Sequence, residues 1–201
     1  MQYLVNTNVH QSNSLRLLIG DVVVNIAVLV KQVPDTNSKI QIAGDRVDLS
    51  SVKMDISPYD EFAVENALQH KDSSGGTVTA ITLGGPGADK VLKGVKALGV
   101  DNIVRLDYDG FMDSNGLQSV LANEISSGGY DVVYCGKSAA DSGAGSTGPG
   151  IAERLGWCSV SNIIDIKFGK VIIPSAASPK AHIASNSATP PIKTNRTYTH
   201  K

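Results

Sequence analysis

Residues 25–33, Asn-Ile-Ala-Val-Leu-Val-Lys-Gln-Val (NIAVLVKQV), are almost wholly aliphatic until Lys31. A run so short and so rich in Val and Ile suits a strand buried on both faces, as in a parallel sheet. The next strong signal downstream is a helix start, Ser57-Pro58-Tyr59-Asp60. It offers serine at the N-cap, proline at the first helical position and an acid at the third. From there to about Lys71 the stripe Ala63, Val64, Ala67 and Leu68 recurs at helical spacing and would pack on the sheet. Strand followed by covering helix is the unit of an α/β fold.

The unit repeats along the chain. Thr77 to Leu83 (TVTAITL) reads as a strand running into Gly84-Gly85-Pro86-Gly87, and the helix after it, about 88–98, buries Val91, Leu92, Val95 and Leu98 before Gly99 stops it. Asn102 to Leu106 is a third strand, and Leu117, Val120, Leu121 and Ile125 mark a third helix. Tyr130 to Cys135 (YDVVYC) is a fourth strand, which opens into the loop Gly136 to Gly150; Ile151 to Leu155 and Trp157 suggest a short helix beyond it. This alternation implies parallel strands joined by right-handed helical crossovers. The expected fold is a doubly wound open parallel α/β sheet, Rossmann-like.

The whole chain has 201 residues, 18 Lys and Arg against 19 Asp and Glu, a net charge of -1 and 41% hydrophobic residues. That size fits one domain. The balanced charge, with no basic block, excludes nucleic acid as the main partner, because phosphate backbones are bound by clustered Lys and Arg. Cys135 and Cys158 are too few and too far apart for a disulfide framework or a zinc knuckle, which points to a reducing compartment. The longest apolar run ends at Lys31, short of the roughly 18 to 20 residues of a spanning helix, so no membrane insertion is expected. Residues 1–24 lack a signal-peptide pattern and are expected to be an N-terminal extension, either a disordered arm or an artefact of gene assignment. The nucleotide-binding domain is expected over 25–173. Residues 174–201, rich in Ser, Pro, Thr, Asn and Lys, read as a disordered or truncated tail.

In a doubly wound sheet small molecules bind at the carboxyl edge of the strands. Lys31 to Thr36, Gly84 to Gly87 and Gly136 to Gly150 all fall on that edge, with the helix start at Ser57 nearby. Glycines let backbone N–H groups approach a phosphate, and the dipole of a following helix favours negative charge there. A nucleotide is the natural ligand. Neither of the two glycine loops is a P-loop or a GxGxxG fingerprint. His10, His70, His182 and His200 are scattered away from metal-ligand spacing. Asp60 and Glu61 read as first-turn acids that complement the helix dipole. Lys137 could meet phosphate, Cys135 reads as a small core residue, and Ser142, Ser146 and Thr147 have no visible base. The pattern is that of a binding site without a catalytic constellation.

Asn25 to Thr36 (NIAVLVKQVPDT), Asp55 to Ala67 (DISPYDEFAVENA), Gly84 to Ala88 (GGPGA) and Gly136 to Trp157 (GKSAADSGAGSTGPGIAERLGW) resemble the β (small) subunit of electron transfer flavoproteins, from about residue 25 to 168. The resemblance implies one half of an αβ heterodimer that carries electrons from flavin dehydrogenases to a quinone reductase or another acceptor, a role met in fatty acid β-oxidation. It implies a carrier, not an enzyme, with a FAD held mainly by the α subunit. The fold it implies is of the adenine-nucleotide-binding type, and this subunit would bury an AMP, or a second FAD in the bifurcating form of the family. Carried over by position, the nucleotide contacts fall on Leu29, on Ser57, Pro58, Tyr59 and Asp60, on Gly84, and on Gly136, Lys137, Ser138, Ala139, Ala140, Asp141, Ser142, Gly143, Ala144, Gly145, Ser146 and Thr147. The stretch Ser138 to Ser146 is less acidic than the family's loop, which leaves AMP and FAD both open. The expected location is the cytoplasm of a bacterium or archaeon, ahead of a mitochondrial matrix. Beside this reading stands a stand-alone adenine-nucleotide-binding or signalling module of similar fold, and behind it a hydrolase or ligase acting on an adenylate.

Overall fold

The computed structural model describes residues 1–5, 24–163 and 195–198. Its elements in chain order are β1 (Gln2–Val5), β2 (Val24–Leu29), β3 (Gln32–Pro34), β4 (Gln41–Ala43), β5 (Arg46–Asp48), β6 (Met54–Ile56), α1 (Pro58–Ser74), β7 (Gly76–Gly84), α2 (Asp89–Ala97), β8 (Asn102–Asp107), α3 (Ser114–Gly128), β9 (Val132–Cys135), α4 (Thr147–Leu155), β10 (Cys158–Ser161) and β11 (Asn195–Tyr198). A 3-10 turn over Pro86–Ala88 leads into α2.

A sheet of seven strands in the order β10-β1-β9-β2-β7-β8-β11 forms the centre. The four middle strands β9, β2, β7 and β8 are parallel, as the sequence predicts; β1 and β11 pair antiparallel with the two edges of this group, and β10 pairs antiparallel with β1. Successive residues of β2 alternate between two cores, because side chains on a strand point to opposite faces. Ile26 and Val28 meet Ala63, Val64 and Ala67 of α1 and Val91, Leu92 and Val95 of α2. Ala27 and Leu29 meet Leu121, Ala122 and Ile125 of α3 and Ile151 and Ala152 of α4. Two helices therefore cover each face, and the aliphatic run from Ile26 to Leu29 is buried on both.

Several expectations are corrected by tertiary contacts. The strand expected over 25–33 stops at Leu29 and resumes as β3, which leaves the main sheet to pair with β6. Leu98, expected in the core, is the C-cap of α2 and largely exposed. Residues 1–5 do not behave as a disordered arm: β1 fills the free edge of β9, where unpaired backbone groups need a partner, and buries Leu4 completely. Burial of a leucine side chain stabilises by about 1.5–3 kcal/mol. Likewise β11, within the segment expected to be tail, pairs with the outer edge of β8. The rest of that segment and residues 6–23 lie outside the described residues.

Candidate functional site

The position of the site follows from strand order. The helix α1 that leaves β2 lies on one face, whereas α3 and α4, which lead into and out of β9, lie on the other. Neighbouring strands β2 and β9 therefore send their chains in opposite directions, and a crevice opens between their carboxyl ends. At its rims stand Leu29, last residue of β2, and Cys135, last residue of β9, which are direct partners in the sheet.

Asp60 joins the two rims from α1. Its Oδ2 accepts the Lys31 backbone N–H at 2.8 Å and its Oδ1 accepts the Gly136 N–H at 3.1 Å. This is a different role from the first-turn capping that the sequence suggests. Burial pushes the Asp60 carboxyl up to about 7, against the lowering effect of both amide donors and of Lys31. Gly136 is glycine because Asp60 stands where its side chain would be: a Cβ there would collide with Oδ1 and lie 2.9 Å from the Tyr59 carbonyl carbon. Ser57 occupies the N-cap, with Pro58 following at the first helical position, yet its hydroxyl makes no capping hydrogen bond. Instead its N–H donates to Lys31 O at 2.9 Å and its carbonyl accepts from Asp60 N at 2.8 Å. The Ser57 Oγ is buried and has no hydrogen-bond partner among the described residues.

Beyond Gly136 the chain makes a long excursion before α4, tethered at further points. Lys31 Nζ pairs with Asp141 at 2.6 Å. Gln2 Nε2 donates to Gly145 O at 3.2 Å, and Gln118 Nε2 of α3 donates to Ser146 O at 3.1 Å. Within the loop Gly143 N donates to Ala139 O at 2.9 Å, and Gly143 and Gly145 both have φ of +63°, which favours glycine. Lys137 and the run from Ala140 to Ala144 are exposed; Ser138, Ala139, Gly145, Ser146 and Thr147 are half-buried. Thr147 and Gly148 begin α4, so their N–H groups have no partner within the helix.

The structure thus gathers Leu29, Ser57, Asp60 and the loop from Gly136 to Thr147 around one crevice. Pro58 and Tyr59 stand exposed at its α1 side. Gly84 lies apart from the loop: its carbonyl accepts from Tyr108 N at 3.4 Å and from Arg105 Nη1 at 3.2 Å. Arg105 is itself a buried cation, paired with Asp89 at 2.8 Å and Asp107 at 2.6 Å. Sequence reasoning missed Lys31, Gln2 and Gln118 as supports of the loop. Lys31 was legible as the charge that ends the aliphatic run; nothing in the sequence marks the two glutamines. Among the described residues no group of His, Cys, Asp and Glu is placed to hold a metal ion, and no helix is long and apolar enough to cross a membrane.

Comparison with known proteins adds the family. Residues 46–194 match the model of the electron transfer flavoprotein domain. The electron transfer flavoprotein subunit beta of Bacillus subtilis is 33% identical over 147 residues, 72% of this chain and 57% of that protein. The acryloyl-CoA reductase electron transfer subunit gamma of Anaerotignum propionicum is 35% identical over 136 residues, 65% of this chain and 51% of that protein. Protein FixA of Azotobacter vinelandii is 32% identical over 153 residues, 71% of this chain and 54% of that protein. The chain therefore spans little more than half the length of these curated relatives.

Proposed function

The chain belongs to the electron transfer flavoprotein family, and from that premise we propose that it acts as the nucleotide-holding β subunit of an electron-carrying heterodimer. The observation that carries the reading is the tethered loop 136–146 at the crevice between β2 and β9. A loop held from several elements presents its backbone donors without having to be ordered by the ligand, and such preorganisation raises affinity. The residues suit an adenine nucleotide. Backbone N–H groups from Ala144 to Thr147, at the positive end of the α4 dipole, would hold phosphate. Leu29 and the Ser57 region would flank adenine and ribose, and the unpartnered Ser57 Oγ supplies a buried polar atom there. Asp60 has both oxygens engaged by backbone amides, so it supports the crevice from behind.

The occupant is AMP or a second FAD. AMP would bring no redox chemistry to this subunit, whereas FAD would add a second electron-accepting centre to the one shared with the α subunit. In this reading electrons pass from flavin dehydrogenases to a quinone reductase or another acceptor in the bacterial or archaeal cytoplasm, and the chain's own residues bind and orient rather than transform a substrate.

Native mass spectrometry with a visible absorption spectrum, on the chain co-expressed with its α subunit, tests this. A heterodimer with one FAD and one AMP fits an ordinary carrier, and two FAD fit the bifurcating form. A colourless monomer that still retains AMP would favour the stand-alone nucleotide-binding module, and a chain with neither would end the proposal. At finer grain, Gly145→Val forces a β-branched residue into positive φ at about 1–3 kcal/mol of local strain. Its AMP content should drop with the circular dichroism unchanged; full AMP retention would remove the loop from the site.

A further inference from the structure

Strand β1 runs antiparallel to β9, so it begins at the edge where β9 ends, and Gln2 stands directly opposite Cys135. Its side chain is buried inside the crevice wall, with the whole residue 4% exposed. A carboxamide buried so deeply needs a partner at each end. The Cys135 thiol donates to Oε1 across 3.7 Å, and Nε2 donates to Gly145 O at 3.2 Å. Burial pushes the Cys135 thiol up to about 12, which keeps its hydrogen in place for that bond. A thiol donor on one side and a carbonyl acceptor on the other leave the amide a single orientation. Room for it exists because α4 carries glycine at 148, where a Cβ would lie 2.5 Å from Gln2 Oε1 and 2.9 Å from Cys135 Sγ.

We propose that Gln2 is a positioning residue of the nucleotide loop, which aims the Ser146 N–H at the ligand phosphate by holding the Gly145 carbonyl. In a planar trans peptide the C=O and the following N–H point in opposite directions. Fixing Gly145 O on the β1 side therefore turns the Ser146 N–H away from β1. Gln118 acts in the same way one peptide further on, from α3, by holding Ser146 O. The N-terminal strand lies outside the family-matched residues 46–194, so it adds a part to the site that the family match does not include. The inference deepens the nucleotide reading and rests on it for the identity of the ligand.

The test uses the full chain with AMP as probe and two variants that preserve volume. Gln2→Met removes both polar ends, and Gln2→Glu removes the donor but regains one whenever its carboxyl is protonated. A net hydrogen bond of this kind corresponds to about a two- to tenfold effect. AMP release should quicken by that factor in Gln2→Met at every pH, and backbone NMR relaxation of AMP-free protein should show a more mobile Ser146 amide. In Gln2→Glu both changes should appear at high pH and fade toward wild type at low pH, a dependence that a packing role would not produce. Wild-type release and Ser146 mobility in Gln2→Met, or a Gln2→Glu variant whose ratio to wild type is flat with pH, would overturn the proposal. Failure of the wild-type chain to bind AMP at all would instead overturn the nucleotide reading, and the mobility of the Ser146 amide would still decide whether Gln2 holds the loop.

Discussion

Two glycine-rich loops leave the same edge of the sheet, yet they are built for different ends. The loop after β7, Gly84 to Gly87, turns at once through a 3-10 segment into α2. The loop after β9 wanders from Gly136 to Ser146 and is tethered to α1, to Lys31 just beyond β2, to β1 and to α3 before α4 begins. Their glycine content does not separate them; their neighbours do. The crossovers β2–α1–β7 and β7–α2–β8 both lie over one face, so no gap forms beside β7 and its chain can fold straight back. At β9 and β2 the helices diverge to opposite faces, and the open space between must be lined by loop. Strand order, more than glycine, places the candidate site.

The sharpest way to break this contrast is at the glycines themselves. Gly136→Ala drives a methyl group into Asp60 and the Tyr59 backbone, whereas the Cβ of Gly87→Ala would meet only Gln32 Oε1 at an ordinary 3.5 Å. Urea denaturation should find the first destabilised by about 1–3 kcal/mol and the second within about 0.5 kcal/mol of wild type. Equal losses would mean that the two loops are constrained alike.

Next in size is the pH response of Asp60. Its carboxyl titrates near 7 in the folded chain against an ordinary 3.8. The native state therefore binds this proton more tightly than the unfolded state does. The resulting stability is fully present below about pH 4 and is lost as pH rises through 7, by a few kcal/mol at most. Asp60→Asn should remove that contribution, so the difference in unfolding free energy between variant and wild type changes between pH 4.5 and pH 8. A pH-independent difference would show that Asp60 titrates normally and does not carry a buried charge between the rims.

The smallest effect is expected from the pair Lys31 and Asp141, both partly exposed. A double-mutant cycle with Lys31→Met and Asp141→Asn should give a coupling of about 0.2–1 kcal/mol that shrinks in salt. A larger, salt-insensitive coupling would make this pair a principal tether of the loop, on a level with Asp60.

Much of the fold was legible because it rests on local periodicity. The aliphatic run of β2, the Ser57-Pro58 start of α1, the stripe of Ala63, Val64 and Ala67, and the Gly99 stop each express a preference that neighbouring residues settle among themselves. The carboxyl-edge position of the candidate site followed from the same alternation, since parallel strands joined by helices leave their loops at one end. The flanking strands were not legible. Gln2–Val5 and Asn195–Tyr198 are segments of four residues that become strands by pairing with the free edges of β9 and β8, more than 100 residues away in sequence for β1. Leu98 misled because its spacing fits the buried stripe of α2 while the helix ends one residue too early to turn it inward.

The sequence by itself determined the parallel α/β core, the edge on which a ligand would sit and the family resemblance, all properties of residues read within a few turns or strands of one another. Only the tertiary structure decided that Asp60 spans two strand ends instead of capping its own helix, that Gly136 yields its side-chain space to that carboxylate, and that Gln2 and Gln118 reach the loop. Those roles depend on which groups remain unpaired once the sheet has assembled. A buried carboxylate or carboxamide takes whatever donor or acceptor the fold brings within hydrogen-bonding distance, and that choice is made by packing between distant segments.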